Sequence, residues 1–351
     1  MRVLLTGATG YVGAFTLRAL LDAGHEPRLL VRSRERLAAK AAAVGVGSHD
    51  LQVVVGDMTD PAAVQQAVTG ADAAIHAAAV VAVLNRADAE RALQANVVGT
   101  RTVLDAALAA GCDPVVHVSS VIAVFDPNAP VVSADLPPTA HARSPYTRSK
   151  ALVEQLARER QADGAPVVIV YPGGVTGPAA GDSYGEVAEG FVSMLKAGLL
   201  VLDDGGITIL DVRDLAGVLV ATLQPGLGPR RFMAGGQLTT LGEIGDIVRR
   251  LTGRHFPALP TPGVVFRGLG HLTDAVRRVV PFATVFTAEA MDALTLVRPT
   301  DDRAVHEQLG ITYRDPAESI EASLRALYAG GLLSARQVGA LANSSPTAAA
   351  G

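Results

Sequence analysis

The stretch that most constrains this chain is its opening, MRVLLTGATGYVG, where a short apolar strand runs into glycines at Gly7, Gly10 and Gly13. In that spacing each glycine has a separate task. Gly7 permits the tight turn leaving the strand, Gly10 lets backbone approach a pyrophosphate, and Gly13 lets the next helix lie close on the sheet. Val3-Leu4-Leu5 precedes the loop, and Val12, Phe15, Leu17, Leu20 and Leu21 follow at helical spacing until Gly24. A helix beginning there points unpaired N–H groups and a partial positive charge at a phosphate. The expected element is therefore a strand, turn and helix that hold a dinucleotide, with Thr6, Thr9, Tyr11 and Val12 completing the loop.

The choice of dinucleotide falls at the end of the second expected strand, Pro27 to Arg32. A site for NAD normally carries a carboxylate there to hold the ribose hydroxyls. This chain has Arg32, Ser33 and Arg34 instead. A guanidinium matches a 2′-phosphate in charge and fork geometry, so NADP(H) is the expected cofactor rather than NAD(H).

Strands and helices then alternate, with further strands at Leu51–Val55, Ala73–Ala77, Pro114–Ser119 and Pro166–Val170. This pattern predicts an α/β fold: a Rossmann-type, doubly wound parallel sheet with a smaller C-terminal α+β substrate lobe. The expected division is a cofactor-binding domain over 1–171, a lobe over 172–333 with a possible strand returning to the main sheet, and an Ala-, Ser- and Gly-rich tail over 334–351 that is disordered beyond a last helical turn. In the lobe, strands are expected at Ile207–Leu210 and Arg231–Ala234, and a helix around Phe191–Lys196. With 351 residues of which 49% are hydrophobic, the chain can bury one large core and a smaller one. Its single cysteine, Cys112, rules out an intrachain disulfide and a Cys-built metal site, and no metal is expected. A net charge of −4 without a long basic run argues against nucleic acid as a partner. The amino terminus already reads as a strand, which leaves no room for a secretory signal. The longest apolar run, Ala77 to Leu84, is too short to span a bilayer. A cytoplasmic enzyme is the expected class.

The chemistry is expected on a helix starting near Ser144, a good N-cap followed by Pro145 at the first helical position. Tyr146 and Lys150 then lie one turn apart on one face. A phenol has a pKa of about 10, and an ammonium beside it favours the phenolate and brings it toward its working range. Ser120, just after the fifth strand, can share the substrate oxygen with the phenol. Ser119 is read as the last residue in the strand.

Taken together these elements resemble the extended short-chain dehydrogenase/reductase superfamily. The matching segments are Thr6 to Gly13, Gly56-Asp57-Met58, His76-Ala77-Ala78-Ala79, Asn96 to Thr100, Val118-Ser119-Ser120, Tyr146 with Lys150, and Tyr171 to Pro178. Looser patterns near Arg32, at Asp211–Gly217 and at Leu309–Arg314 are similar to its dihydroflavonol-reductase-like and 3β-hydroxysteroid-dehydrogenase-like branch. The resemblance implies that Asp57 meets the adenine amino group with Met58 beside it. It also implies that Ala77, Ala78 and Ala79 lie against pyrophosphate and ribose, with His76 packed beneath. Asn96 would hold a water in the proton relay, and Ser119 and the run Tyr171, Pro172, Gly173, Gly174 and Val175 would border the cofactor. Two departures stand out: the loop Val121–Phe125 lacks the usual glycine, and Tyr171 replaces the usual arginine before the proline.

The expected reaction is reversible reduction of an apolar ketone or aldehyde to an alcohol, with Ser120, Tyr146 and Lys150 as the catalytic set. Apolar lobe residues Phe191, Met194, Leu195, Phe256, Val264, Val265, Phe266 and Val279–Phe286 are candidate substrate contacts, as are His255 and His271. The alternatives are an NAD-dependent nucleotide-sugar epimerase or dehydratase, and a non-catalytic dinucleotide sensor of the NmrA type. The resemblance also implies a possible homodimer through helices flanking the tyrosine.

Overall fold

The computed structural model describes residues 1–47, 51–80, 86–139, 144–185, 187–198, 200–202, 205–277 and 287–344. The chain forms two compact units. The first comprises Met1–Gly173, Val212–Gly236 and Arg298–Thr312; the second comprises Gly174–Asp211, Gln237–Val297 and Tyr313–Gly351.

In chain order the first unit runs β1 (Arg2–Thr6), α1 (Tyr11–Asp22), β2 (Glu26–Val31), α2 (Arg34–Ala43), β3 (Gln52–Val55), α3 (Pro61–Val68), β4 (Ala73–His76), α4 (Arg86–Ala109), β5 (Val115–Val118), α5 (Pro145–Ala162) and β6 (Val167–Pro172). The second unit then opens with β7 (Gly174–Thr176), α6 (Ala188–Ala197), β8 (Leu200–Leu202) and β9 (Gly206–Asp211). The chain returns to the first unit for α7 (Val212–Ala221) and β10 (Arg230–Ala234). The second unit resumes with β11 (Gln237–Thr240), α8 (Leu241–Thr252), β12 (Ala258–Pro260), α9 (Gly263–Arg277) and α10 (Ala288–Thr295). α11 (Arg303–Leu309) belongs to the first unit, and α12 (Pro316–Ala329) and α13 (Ala335–Val338) to the second.

Seven strands of the first unit make one parallel sheet in the order β10-β6-β5-β4-β1-β2-β3. Strands covered on both faces must be apolar along their whole length. β6, Val-Val-Ile-Val-Tyr-Pro, is buried at every position, and so are Val3 to Thr6 of β1. One face of the sheet packs under α3, α4 and α5 around Leu4, Ala74, Leu104, Val115, Leu156 and Ile169. The strand order reverses between β1 and β4, and ligands of such sheets bind at the carboxyl ends there.

The expected fold class is the observed one, and the strand expected at Arg231–Ala234 is β10, at the edge of the main sheet. The second unit holds a sheet ordered β11-β9-β7 and a two-stranded pair, β12-β8. Its core gathers Phe191, Leu195, Val248, Phe256, Ile320 and Leu324. The expected last helical turn is α13, and the described structure continues past it. Ser334 caps α13, a 3-10 turn follows at Gly339–Ala342, and Val338 and Leu341 are buried in the same core. Residues 345–351 lie outside the described residues. No helix of the described residues is long and apolar enough to cross a membrane.

Candidate functional site

The glycine loop is shaped by close approach. Gly7 has φ +85°, and a Cβ there would stand 2.7 Å from the Ala77 carbonyl carbon in the neighbouring β4 loop. A Cβ on Gly13 would run into the Gly7 carbonyl, so α1 can seat on the loop only with glycine at that position. Gly10 is the N-cap of α1 and contributes no side-chain cap, so the first-turn N–H groups are not met by one. Tyr11 leans edge-on against Phe15, and the Val12 carbonyl accepts the Thr16 hydroxyl.

Above this loop lies a cleft of about 220 Å³, lined by Thr6, Gly7, Thr9, Gly10, Arg32, Arg36, Asp57, Met58, Ala77, Ala78, Ala79 and Val80, among others. Thr6, Gly7, Thr9 and Gly10 of the predicted loop, Arg32, the Asp57-Met58 pair and the alanine turn therefore share one cavity, whereas Tyr11, Val12 and Gly13 do not line it. Arg34 does not: its guanidinium donates to the Val53 carbonyl at 2.9 Å. Its place is taken by Arg36, which sequence reasoning passed over. Arg36 lies in the first turn of α2, where the Ser33 side chain accepts its N–H.

Asp57 uses one oxygen in a turn, accepting Thr59 N–H at 2.9 Å and its hydroxyl at 2.7 Å. Partial burial works against its ionised form, but the Thr59 bonds and the Arg32 charge outweigh that and hold the carboxyl below its ordinary value. Two guanidinium side chains, a carboxylate and the N-terminus of α1 thus border one cleft, a set that fits a dinucleotide.

α4 supports this cleft from one side. Asn96 accepts Val80 N–H at 2.8 Å and donates to Val80 O at 3.0 Å and to Ser149 Oγ at 3.3 Å. Its amide thus clamps the end of the alanine turn to α5, where the expected role was to hold a relay water. Gly99 lies against Met58, and Thr100 Oγ1 lies 3.0 Å from His76 Nε2. Thr6 Oγ1 takes the other ring nitrogen of His76 at 2.7 Å, which puts His76 beneath the loop. Complete burial, with the Lys150 charge nearby, pushes His76 down to about 3 and keeps its ring neutral.

The second cluster forms where β5 ends. Ser144 caps α5 by accepting Thr147 N–H at 3.1 Å, with Pro145 in the first turn. Tyr146 is half-buried beside an apolar notch of Val80, Ala89, Ala92, Leu93, Asn96, Pro145 and Ser149. Lys150 Nζ donates to Ser119 O at 3.2 Å. Ser120 opens the 3-10 turn Val121–Ala123, its hydroxyl accepting Ile122 N–H at 3.4 Å, and this turn packs on α5. The loop lacking the family's glycine is this turn, closed by buried Ala123 and Val124.

Ser119 and Tyr171 are placed otherwise than expected. The Ser119 hydroxyl donates to Glu154 Oε2 at 2.8 Å, and the Tyr171 hydroxyl donates to Glu154 Oε1 at 2.6 Å. Burial first, and Glu154 next, push the Tyr171 phenol far above its ordinary range, so it stays a donor. Both side chains turn into a buried polar layer instead of bordering a cofactor. Pro172 and Gly173 close the first stretch of the first unit, while Gly174 and Val175 pair with Ile209 and Leu210 in the second.

Among the lobe candidates, Phe191, Leu195 and Phe256 are core residues of the second unit and Met194 packs against that core. Phe266 is buried, Val264 and Val265 are exposed, and Val279–Phe286 lie outside the described residues.

Residues 3–235 match the family described as NAD dependent epimerase/dehydratase. Sterol demethylase protein B of Methylococcus capsulatus is 28% identical over 325 residues, covering 89% of this chain and 93% of that protein. A 3β-hydroxysteroid dehydrogenase/Δ5→4-isomerase of Mycobacterium tuberculosis is 31% identical over 208 residues, 57% of this chain and 53% of that protein. Among solved structures, a UDP-glucose-4-epimerase from Stenotrophomonas maltophila superimposes with a TM-score of 0.72 at 19% identity, covering 94% of this chain and 99% of that one.

Proposed function

Because the chain belongs to the NAD dependent epimerase/dehydratase family, and so to the extended short-chain dehydrogenase/reductases, we propose that it is an NADP(H)-dependent oxidoreductase interconverting an apolar ketone or aldehyde and its alcohol. The reading rests on one observation above all. The cleft above the glycine loop is lined by Arg32, just after β2, and Arg36, in the first turn of α2, where a 2′-phosphate would be met. Two guanidiniums suit that dianion, and a free 2′-hydroxyl would give them nothing to pair with. Val80, Ala89, Ala92 and Leu93 give the surroundings of Tyr146 an apolar character, in keeping with an apolar substrate.

In this reading Thr9, Gly10 and the α1 N-terminus hold the pyrophosphate, Asp57 and Met58 the adenine, and Ala77 to Ala79 the backbone turn beneath it. NADPH, when bound, supplies the hydride. Ser120 and Tyr146 hold the carbonyl oxygen, and Tyr146 gives it the proton. Lys150, seated on Ser119 O, stabilises the phenolate left behind and holds the ribose next to the nicotinamide. Asn96 serves by keeping Val80 and Ser149 in register around the phenol.

The test is a panel of apolar ketones, aldehydes and hydroxysteroids followed by NADPH absorbance. Tyr146→Phe is expected to lower turnover by about 10²- to 10⁴-fold while cofactor still binds. Arg32→Asp is expected to weaken NADPH by tenfold or more, on the order of the 1.4 kcal/mol of one charge-assisted contact, and NADH far less. Equal losses for both cofactors would overturn the 2′-phosphate role. Tightly retained NAD together with sugar-nucleotide turnover would replace this reading by epimerisation or dehydration.

A further inference from the structure

We propose that Glu154 is a positioning residue for Lys150: by holding Ser119 it fixes the carbonyl oxygen on which the Lys150 ammonium rests. The proposal builds on the reading of Lys150 as the residue that holds the ribose beside the nicotinamide.

α5 carries Tyr146, Lys150, Glu154 and Arg158 at four-residue intervals, which stacks them on one helical face. Glu154 is fully buried, and its two oxygens take three donors from three elements. Arg158 Nε, on the same helix, donates to Oε1 at 2.6 Å. The Tyr171 hydroxyl, from β6, donates to the same oxygen, and the Ser119 hydroxyl, at the end of β5, donates to Oε2. A carboxylate removed from water is tolerable only when such partners are all present, so the arrangement holds α5 at one position along both strands. Arg158 is anchored in turn by Ala134 O at 3.0 Å and by the Tyr171 hydroxyl at 3.2 Å.

Ser119 carries this order to the site. Its hydroxyl ends on Glu154 while its carbonyl accepts Lys150 Nζ, so the two ends of one residue join carboxylate and ammonium. In Glu154→Gln one carboxylate oxygen becomes an NH2 donor, so a single oxygen is left for the Ser119, Tyr171 and Arg158 donors and the Ser119 hydroxyl loses its own acceptor. The Ser119 peptide is then free to turn, and Arg158 becomes an unbalanced cation in the same layer.

The two ends of the cofactor separate this role from a general contribution to folding. The full chain and Glu154→Gln are titrated with NADPH, followed by nicotinamide fluorescence, and with adenosine 2′,5′-bisphosphate, followed by calorimetry. That fragment carries adenine and the 2′-phosphate but no ribose next to a nicotinamide, so it does not report on Lys150. Should the chain take NAD, NADH and ADP replace the pair. Glu154→Gln is expected to weaken the dinucleotide about tenfold, leave the fragment within about twofold, and be largely rescued by Glu154→Asp. Equal weakening of both ligands, undiminished dinucleotide binding, or no rescue by Asp would each overturn the proposal. If Glu154→Gln yields no folded protein, Ser119→Ala carries the same comparison, with an expected loss of about threefold to fivefold confined to the dinucleotide. No turnover is needed, so a chain that binds cofactor but reduces no carbonyl would sink the oxidoreductase reading and leave this result standing.

Discussion

His117 sits on β5 directly opposite His76 on β4, the rings stacked with centroids 5.7 Å apart and planes 26° from parallel. Both of its ring nitrogens are buried without a hydrogen-bond partner among the described residues. Burial first, then the neighbouring His76 and the Lys150 charge, lower its pKa well below the ordinary histidine value. His76 is lowered to about 3. Two histidines held neutral in the fold but free to take protons when unfolded make stability rise with pH over that interval. From about pH 6.5 downward, stability is lost at up to about 2.7 kcal/mol per pH unit for the pair. His117→Met is expected to remove about half of that slope, read from urea unfolding at several pH values between 5 and 7. An unchanged slope would show that the ring is not held neutral. At this scale the sequence carried Tyr146, Lys150, Arg32 and Asp57 because each belongs to a local motif. It did not single out Glu154, Arg158 or Thr100, whose partners come from other strands and helices. The four-residue step from Lys150 to Glu154 and on to Arg158 was the available signal. At this carboxylate the guanidinium comes from α5, and Tyr171 adds a hydroxyl.

Among the elements, α5 was legible to its first residue because Ser144 and Pro145 form a start signal with a mechanism, and Ser144 does accept the Thr147 N–H. Ser144→Ala is expected to cost about 1 kcal/mol in unfolding free energy. It should lower turnover further than that loss of stability accounts for, since Tyr146 stands in the turn that frays. Stability and turnover measured together check this; a stability loss with unchanged turnover would contradict it. α4 was less legible, since its start adjoins the apolar run Ala77–Leu84, which has no helical period to mark a boundary. The short strands β7, β8 and β12 gave no signal at all. Three residues hold too little alternation, and their partners lie far along the chain: Gly174 pairs with Ile209 and Ala258 with Leu200.

For the molecule as a whole, alternating strands and helices through Tyr171 were enough to read the sheet and to expect a possible returning strand, but not the extent of the returns, Val212–Gly236 and Arg298–Thr312, to the first unit. Those returns depend on contacts between distant segments, such as β10 along β6 and the Gly236 N–H on Asp302, which leave no periodic trace. The same holds for the carboxyl-terminal stretch, whose alanines and serines resemble a tail while Val338 and Leu341 fill the second core. Arg325 secures it by donating to Leu341 O and Ser344 O. Truncation after Leu333 is expected to cost about 4 kcal/mol, the burial of two aliphatic side chains, and to lower Tm accordingly. A truncated chain as stable as the full one would show that the segment does not contribute. The second unit is assembled from three separate stretches, 174–211, 237–297 and 313–351. Recombination with a relative therefore cannot exchange it through a single breakpoint: a chimera that carries this unit whole must inherit all three stretches from one parent.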